Sequence, residues 1–172
     1  MNKQKARRIE VFRALQTFVS DDTAREALCH VYVSNAGRTF EATNGHTGVR
    51  VIFDAGETMD LAAGFYSPKD AMAKLKANVA PVPVSTSYTF PDLLSIIPFN
   101  GYDKAESRGV GVDPILFGKF MVAMSAFAED PKPFVKITWG VDATSPIRVD
   151  AWGYDCHATG VCMPMRIPPG KM

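Results

Sequence analysis

Cysteine is scarce: the 172 residues contain three, Cys29, Cys156 and Cys162. An odd number without the spacing of a secreted scaffold excludes a disulfide framework and points to reduced thiols in a cytosol. Long apolar runs are missing as well. No stretch reaches the roughly 20 residues that cross a bilayer. The basic segment Met1 to Arg8 lacks the apolar core of a secretory signal. Low-complexity segments are absent. A cytoplasmic protein without membrane association is expected.

The chain also lacks the common motifs of catalysis and cofactor binding. Gly109-Val110-Gly111 has Pro114 where the dinucleotide fingerprint requires its third glycine. Neither Gly-x-Ser-x-Gly nor a phosphate loop occurs. The acids Asp54, Glu57 and Asp60 fall in a loop without a partnered base. Cys29-His30, Cys156-His157 and Cys162 match no zinc spacing, and strand neighbours point to opposite faces, so neither pair shares an ion easily. No enzyme, metal or cofactor is predicted.

What is present suits a globular chain: 47% hydrophobic residues against 22% charged. Its length suits one domain or two abbreviated ones and buries roughly 70% of the unfolded surface. The net charge of +1 excludes no class, since gripping phosphates needs only a local basic face.

Helical spacing of Ile9, Phe12, Leu15 and Val19 predicts a helix over 3–19, followed by strands over 28–34, 39–43 and 48–53. The Asn35-Ala36-Gly37 turn joins the first two strands. A second unit begins near Gly64. Ser67-Pro68-Lys69-Asp70 is a cap-plus-proline helix start, running to about Asn78 with Met72, Leu75 and Val79 on one side. A short strand follows over 82–88. The third unit reads as a strand over 109–112, an Asp113-Pro114 helix start, and an almost wholly apolar helix over 115–127. Strands over 134–139, 147–152 and 159–165 complete it. Repeated helix-plus-sheet units predict an α+β fold, with helices on one face of largely antiparallel sheets.

Three segments carry a family resemblance. Val161-Cys162-Met163-Pro164-Met165-Arg166 resembles the carboxyl-terminal signature of the bacterial sliding clamp, the DNA polymerase III beta subunit. Thr43-Asn44-Gly45-His46 resembles the Thr-Asp-Gly-His turn of that family's middle domain. Phe90-Pro91-Asp92, with Ile96-Ile97-Pro98, resembles the connector between its middle and last domains. The resemblance implies a shortened DNA-clamp fold. Residues 1–98 correspond to middle-domain parts with the linker, and 99–172 to part of the last domain, the two packing as one unit.

The resemblance further implies a groove for peptide tails of polymerases or clamp loaders. By position its lining is Leu28, Thr43, Gly45, His46, Pro98, Thr144, Pro146, Val161, Met163, Pro164, Met165 and Arg166. Such a site needs an apolar trough with polar groups at its edge, and methionines repack around different ligands. The family's turn continues His-Arg-Leu, whereas Thr47-Gly48 follows His46 here, removing a rim charge and part of the trough wall. Sequence-independent contact with double-stranded DNA would fall to Lys3, Lys5, Arg7, Arg8, Arg13, Lys69, Lys74, Lys76 and Lys119. The third-unit helix, with Lys119 as its one cation, reads as buried. Two functions follow. One is a clamp that tethers partners to DNA, encircling it as a homo-oligomer; the other is a non-ring adaptor or decoy that competes for the same tails.

Overall fold

Two helices start where serine or aspartate precedes proline. In the computed structural model, Ser67 Oγ accepts from Asp70 N at 3.4 Å, and Asp113 Oδ1 accepts from Ile115 N and Leu116 N at 2.8 and 3.0 Å. These caps open α2 (Pro68–Lys76) and α4 (Pro114–Ser125). The structure describes residues 3–55, 59–86, 88–96, 111–128, 134–140 and 144–165.

Helix α1 (Lys3–Leu15) ends in a 3-10 turn over 16–18. It buries Val11 and Ala14 besides Ile9, Phe12 and Leu15, because α2 and α4 both pack against it. The strands are β1 (Val31–Ser34), β2 (Thr39–Thr43), β3 (Thr47–Phe53), β4 (Gly64–Tyr66), β5 (Val135–Thr138), β6 (Ile147–Trp152) and β7 (Cys156–Cys162). They form one antiparallel seven-stranded sheet in the order β4-β1-β2-β3-β7-β6-β5. The β3–β7 pair, with Thr47 opposite Cys162 and Phe53 opposite Cys156, lets strands from residues 1–98 and 99–172 share this sheet.

Alternation gives the sheet two faces. Val49, Val51, Phe53, Val149 and Ala158 point to α1, α2 and α4 and form the core with Phe12, Phe120 and Met124. The opposite face carries a continuous row across all seven strands: Phe65, Tyr32, Glu41, Arg50, Thr159, Asp150 and Lys136. The linker returns over this second face. Phe90 stacks on Tyr32 at 5.6 Å, and the short α3 (Leu93–Ile96) sets Leu93 against Val161. Helices therefore occupy both faces, not one.

Several expectations shift locally. Residues 23–29 form a 3-10 segment capped by Asp22, so β1 starts at Val31, not Leu28. The strand expected over 82–88 reduces to one bridge between Val84 and Phe65, since Pro81 and Pro83 lack the N–H groups of a ladder. Helix α2 ends at Lys76, and Val79 beyond it is exposed. The last strand runs over Cys156–Cys162, and of the strand expected over 109–112 the first two positions lie outside the described residues. Helix α4 is not buried all round, because Ile115 and Val122 project into solvent.

Candidate peptide-binding site

The bend after β2 is built by its own side chains. Asn44 Oδ1 accepts from the backbone N–H groups of His46 and Thr47 at 2.9 and 2.8 Å. Thr43 Oγ1 accepts from Gly45 N at 3.1 Å and donates to Thr47 O at 2.9 Å. An asparagine oxygen serves this turn as an aspartate would, with Gly45 at a φ of 89°. The resulting geometry leaves Gly45 and His46 exposed.

The terminal segment joins this bend. Met163 N donates to His46 O at 2.8 Å, and Met165 N donates to Gly111 O at 2.9 Å. Cys162 also lies opposite Ile147, which brings Pro146, the residue before it, to the same end of the sheet. Thr43, Gly45, His46, Pro146 and 161–165 thus converge. Met163 and Met165 are 40% and 53% exposed, with half-buried Pro164 between them. Thr144 is exposed two residues before Pro146, whereas Pro98 and Arg166 lie outside the described residues.

Val161 differs from the other lining candidates. Leu93, itself fully buried, covers it, and Phe90 packs beside them. Leu93 Cδ2 comes within 3.5 Å of where a Gly48 side chain would begin. Leu93 therefore supplies bulk over Gly48, the position at which the resembling family has leucine. In the sequence, Leu93 is marked by its place directly after Phe90-Pro91-Asp92, a pattern that signals a connector and not a lining residue. Leu28 is half-buried in a cleft of about 340 Å³ between 23–28 and Tyr88. Arg25, also unforeseen, reaches Gly45, its Nη1 lying 3.0 Å from where a Cβ there would be.

The basic candidates divide sharply. Arg7 donates to both carboxylate oxygens of Asp155 at 2.9 and 2.8 Å and to Ala126 O at 2.8 Å. It joins α1 to the β6–β7 turn and the end of α4, which withdraws it from a phosphate-facing surface. Lys5 Nζ donates to Lys76 O and Asn78 Oδ1 at 3.0 and 2.6 Å, and Arg8 pairs with Asp60 at 3.3 Å. Arg13, Lys69, Lys76 and Lys119 are exposed, and Lys74 is half-buried beside a cleft of about 250 Å³. The Lys3 side chain lies outside the described residues.

The soft metal ligands are occupied otherwise. Burial pushes the Cys156 thiol up to about 12, with Asp155 adding to the effect; burial and Asp113 raise Cys162 to about 11. Thiols held protonated are poor ligands. The His157 ring stacks on Trp152 at 5.3 Å. Among the described residues no group of three or more His, Cys, Asp or Glu could hold a metal ion. No helix among them is long and apolar enough to cross a membrane.

Neither a protein-family model nor a curated protein matches the chain. Solved structures do. The DNA polymerase III beta subunit of Thermotoga maritima aligns with a TM-score of 0.66 at 14% identity, covering 95% of this chain and 64% of that one. The Bacillus subtilis DNA polymerase sliding clamp gives 0.58 at 12% identity, covering 95% and 63%. The Pseudomonas aeruginosa sliding clamp bound to griselimycin gives 0.58 at 14% identity, covering 96% and 64%. The chain spans a little under two-thirds of the length of these clamps. Over that span it therefore has the fold of the bacterial sliding clamp.

Proposed function

We propose that this chain is a non-enzymatic, sliding-clamp-like accessory of DNA replication or repair that holds peptide tails of polymerases or clamp loaders. The observation that carries this reading is the Met163 N to His46 O hydrogen bond, which draws the bend and the exposed methionines into one surface. Since Leu93 covers Val161, the anchoring surface is Met163, Pro164 and Met165, with His46 as its polar edge. Burying one or two apolar anchors there contributes about 1.5–3 kcal/mol each. After ordering costs, micromolar affinity is expected. A tail so held raises the effective concentration of its owner near DNA.

Titrating a fluorescent polymerase-tail peptide into the full chain tests this. Met163→Asp, which sets a charge on an exposed position, is expected to weaken binding at least ten-fold while circular dichroism stays unchanged. Wild-type affinity in a folded variant, or no binding by the wild type, removes the assignment.

The adaptor reading has its own support in α1, where Lys5, Arg7 and Arg8 spend their hydrogen bonds inside the molecule. Exposed Lys69 and Lys76, seven residues apart on α2, support the tethering reading instead. Duplex contact through that face would be independent of sequence.

A further inference from the structure

The bend between β2 and β3 places an asparagine directly before a glycine, and its hydrogen bonds favour a reaction between the two. Gly45 is exposed and has no Cβ to shield its backbone nitrogen. Asn44 Oδ1 accepts from the N–H groups of His46 and Thr47, donors placed where negative charge gathers when a nucleophile adds to Cγ. Asn44 Nδ2, the group that would leave, donates to no described residue. One restraint opposes the attack. Gly45 N donates to Thr43 Oγ1 at 3.1 Å, a bond it must give up first.

We propose that Asn44 is a site of self-modification, at which the Gly45 nitrogen displaces the side-chain amide and turns asparagine into aspartate and isoaspartate. Gly45 N gives its proton to water or hydroxide and bonds to Asn44 Cγ. The Cγ–Nδ2 bond breaks and ammonia leaves, closing a cyclic imide. Water then opens the ring on either side. Cleavage between Gly45 N and Cγ leaves aspartate in an unchanged chain. Cleavage between Gly45 N and the Asn44 carbonyl carbon leaves isoaspartate, with the main chain rerouted through Cβ and Cγ. A water enters and an ammonia leaves, with nothing oxidised or reduced.

The two products act differently on the surface that joins this bend to the terminal segment. An aspartate keeps both N–H donors in charge-assisted bonds, stronger than the neutral ones they replace. Isoaspartate adds an atom to the main chain between Thr43 and His46, which shifts His46 O away from Met163 N. One product preserves the surface and the other takes it apart. Thr43, by holding Gly45 N, sets how long the surface lasts. The loss of tail binding rests on the peptide-site reading; the modification and the loosening of Met163 do not.

Ageing the full chain in mildly alkaline buffer, with peptide mapping by mass spectrometry, tests the proposal. Asn44 of the folded chain should gain the mass of OH in place of NH2, with isoaspartate among the products. Asn100-Gly101, a second Asn-Gly pair outside the described residues, is the reference in the same sample. Thr43→Val should speed the reaction at Asn44 roughly two- to ten-fold, the equivalent of one hydrogen bond, and leave Asn100 unchanged. In urea that difference should vanish. In the isoaspartate fraction, Met163 N–H should exchange with deuterium faster than in the fresh chain and tail-peptide binding should be lost. Asn44→Asp should keep the slow exchange. The wild-type and exchange measurements decide the matter should Thr43→Val misfold. An Asn44 that reacts in urea but not in the folded chain would overturn the proposal. So would a folded Thr43→Val that reacts no faster, or an isoaspartate form whose Met163 N–H stays protected. Peptide binding that survives a freed Met163 removes the peptide-site reading instead.

Discussion

Two carboxylates, buried Asp150 and half-buried Asp155, are held by what surrounds them. Burial alone would raise both Asp150 and Asp155, yet both are lowered, Asp150 to well below the usual carboxylate range. His157, Arg148 and Thr159 outweigh burial at Asp150, whose oxygens take two 2.8 Å bonds from Arg148 and one of 2.7 Å from Thr159. Arg7 does the same at Asp155. Glu41, on the same cross-strand row as Asp150, moves the other way, since burial there exceeds the pull of Arg50. A depressed acid contributes stability that is complete above its unfolded value of about 3.9 and fades as pH falls through the folded value. Asp150→Asn should therefore lower the urea midpoint at pH 7, and its gap from the wild type should begin to narrow as pH falls from about 5 to 3 and close only below the folded value. A gap that stays constant across that window would show that the carboxylate charge contributes nothing.

Helix α4 lies on β7 so closely that Gly160 is required there. A Cβ at Gly160 would come within 2.8 Å of Met124 Sδ and 2.9 Å of the Phe120 ring. On the far side of the same helix, Gly118 has nothing within 4 Å of its absent Cβ. The two glycines should respond oppositely to alanine. Gly160→Ala overpacks the helix–sheet contact and should cost about 1–3 kcal/mol. Gly118→Ala relieves a poor helix former and should add about 0.8–1 kcal/mol, a rise of roughly 2–4 °C in melting temperature for a chain of this size. Thermal melts of both variants check the pair, and two shifts of one sign would contradict the packing described. That α4 begins at Pro114 was legible from Asp113, because a cap is a local signal. The 3-10 segment before β1 was not, since Leu28 to Ser34 reads as apolar, whereas the Asp22 bonds to Ala24 and Arg25 and the Ser20 N to Leu28 O bond hold 23–29 out of the sheet. At the site, Thr43 to His46 and Met163 to Met165 were legible as motifs. Leu93 over Val161 was not, because a linker's path across a sheet leaves no periodic mark.

For the whole molecule, the sheet divides two kinds of surface. The outer face holds the Glu41–Arg50 and Arg148–Asp150 pairs, and the helices on the other face carry the exposed cations Arg13, Lys69, Lys76 and Lys119. Helices α1 and α2 pack together, and Lys5 binds the end of α2, so Lys69 and Lys76 stand beside α1 and its Arg13. On the tethering reading this is the face that meets duplex DNA, through phosphates alone. Each phosphate neutralised adds about 0.9 to the slope of log affinity against log salt, so four contacts would lose roughly 100-fold between 50 and 200 mM. Lys69→Glu with Lys76→Glu should flatten that slope by about 2, whatever the DNA sequence, as read by fluorescence anisotropy of a labelled duplex. Arg7→Lys is the internal control: it exchanges a two-pronged bond for a point charge, so it should lower stability while leaving the salt slope as it was. If the double variant keeps the wild-type slope, or if no duplex binding is measurable at 50 mM salt, the cationic face is a solvated surface and the adaptor reading stands alone.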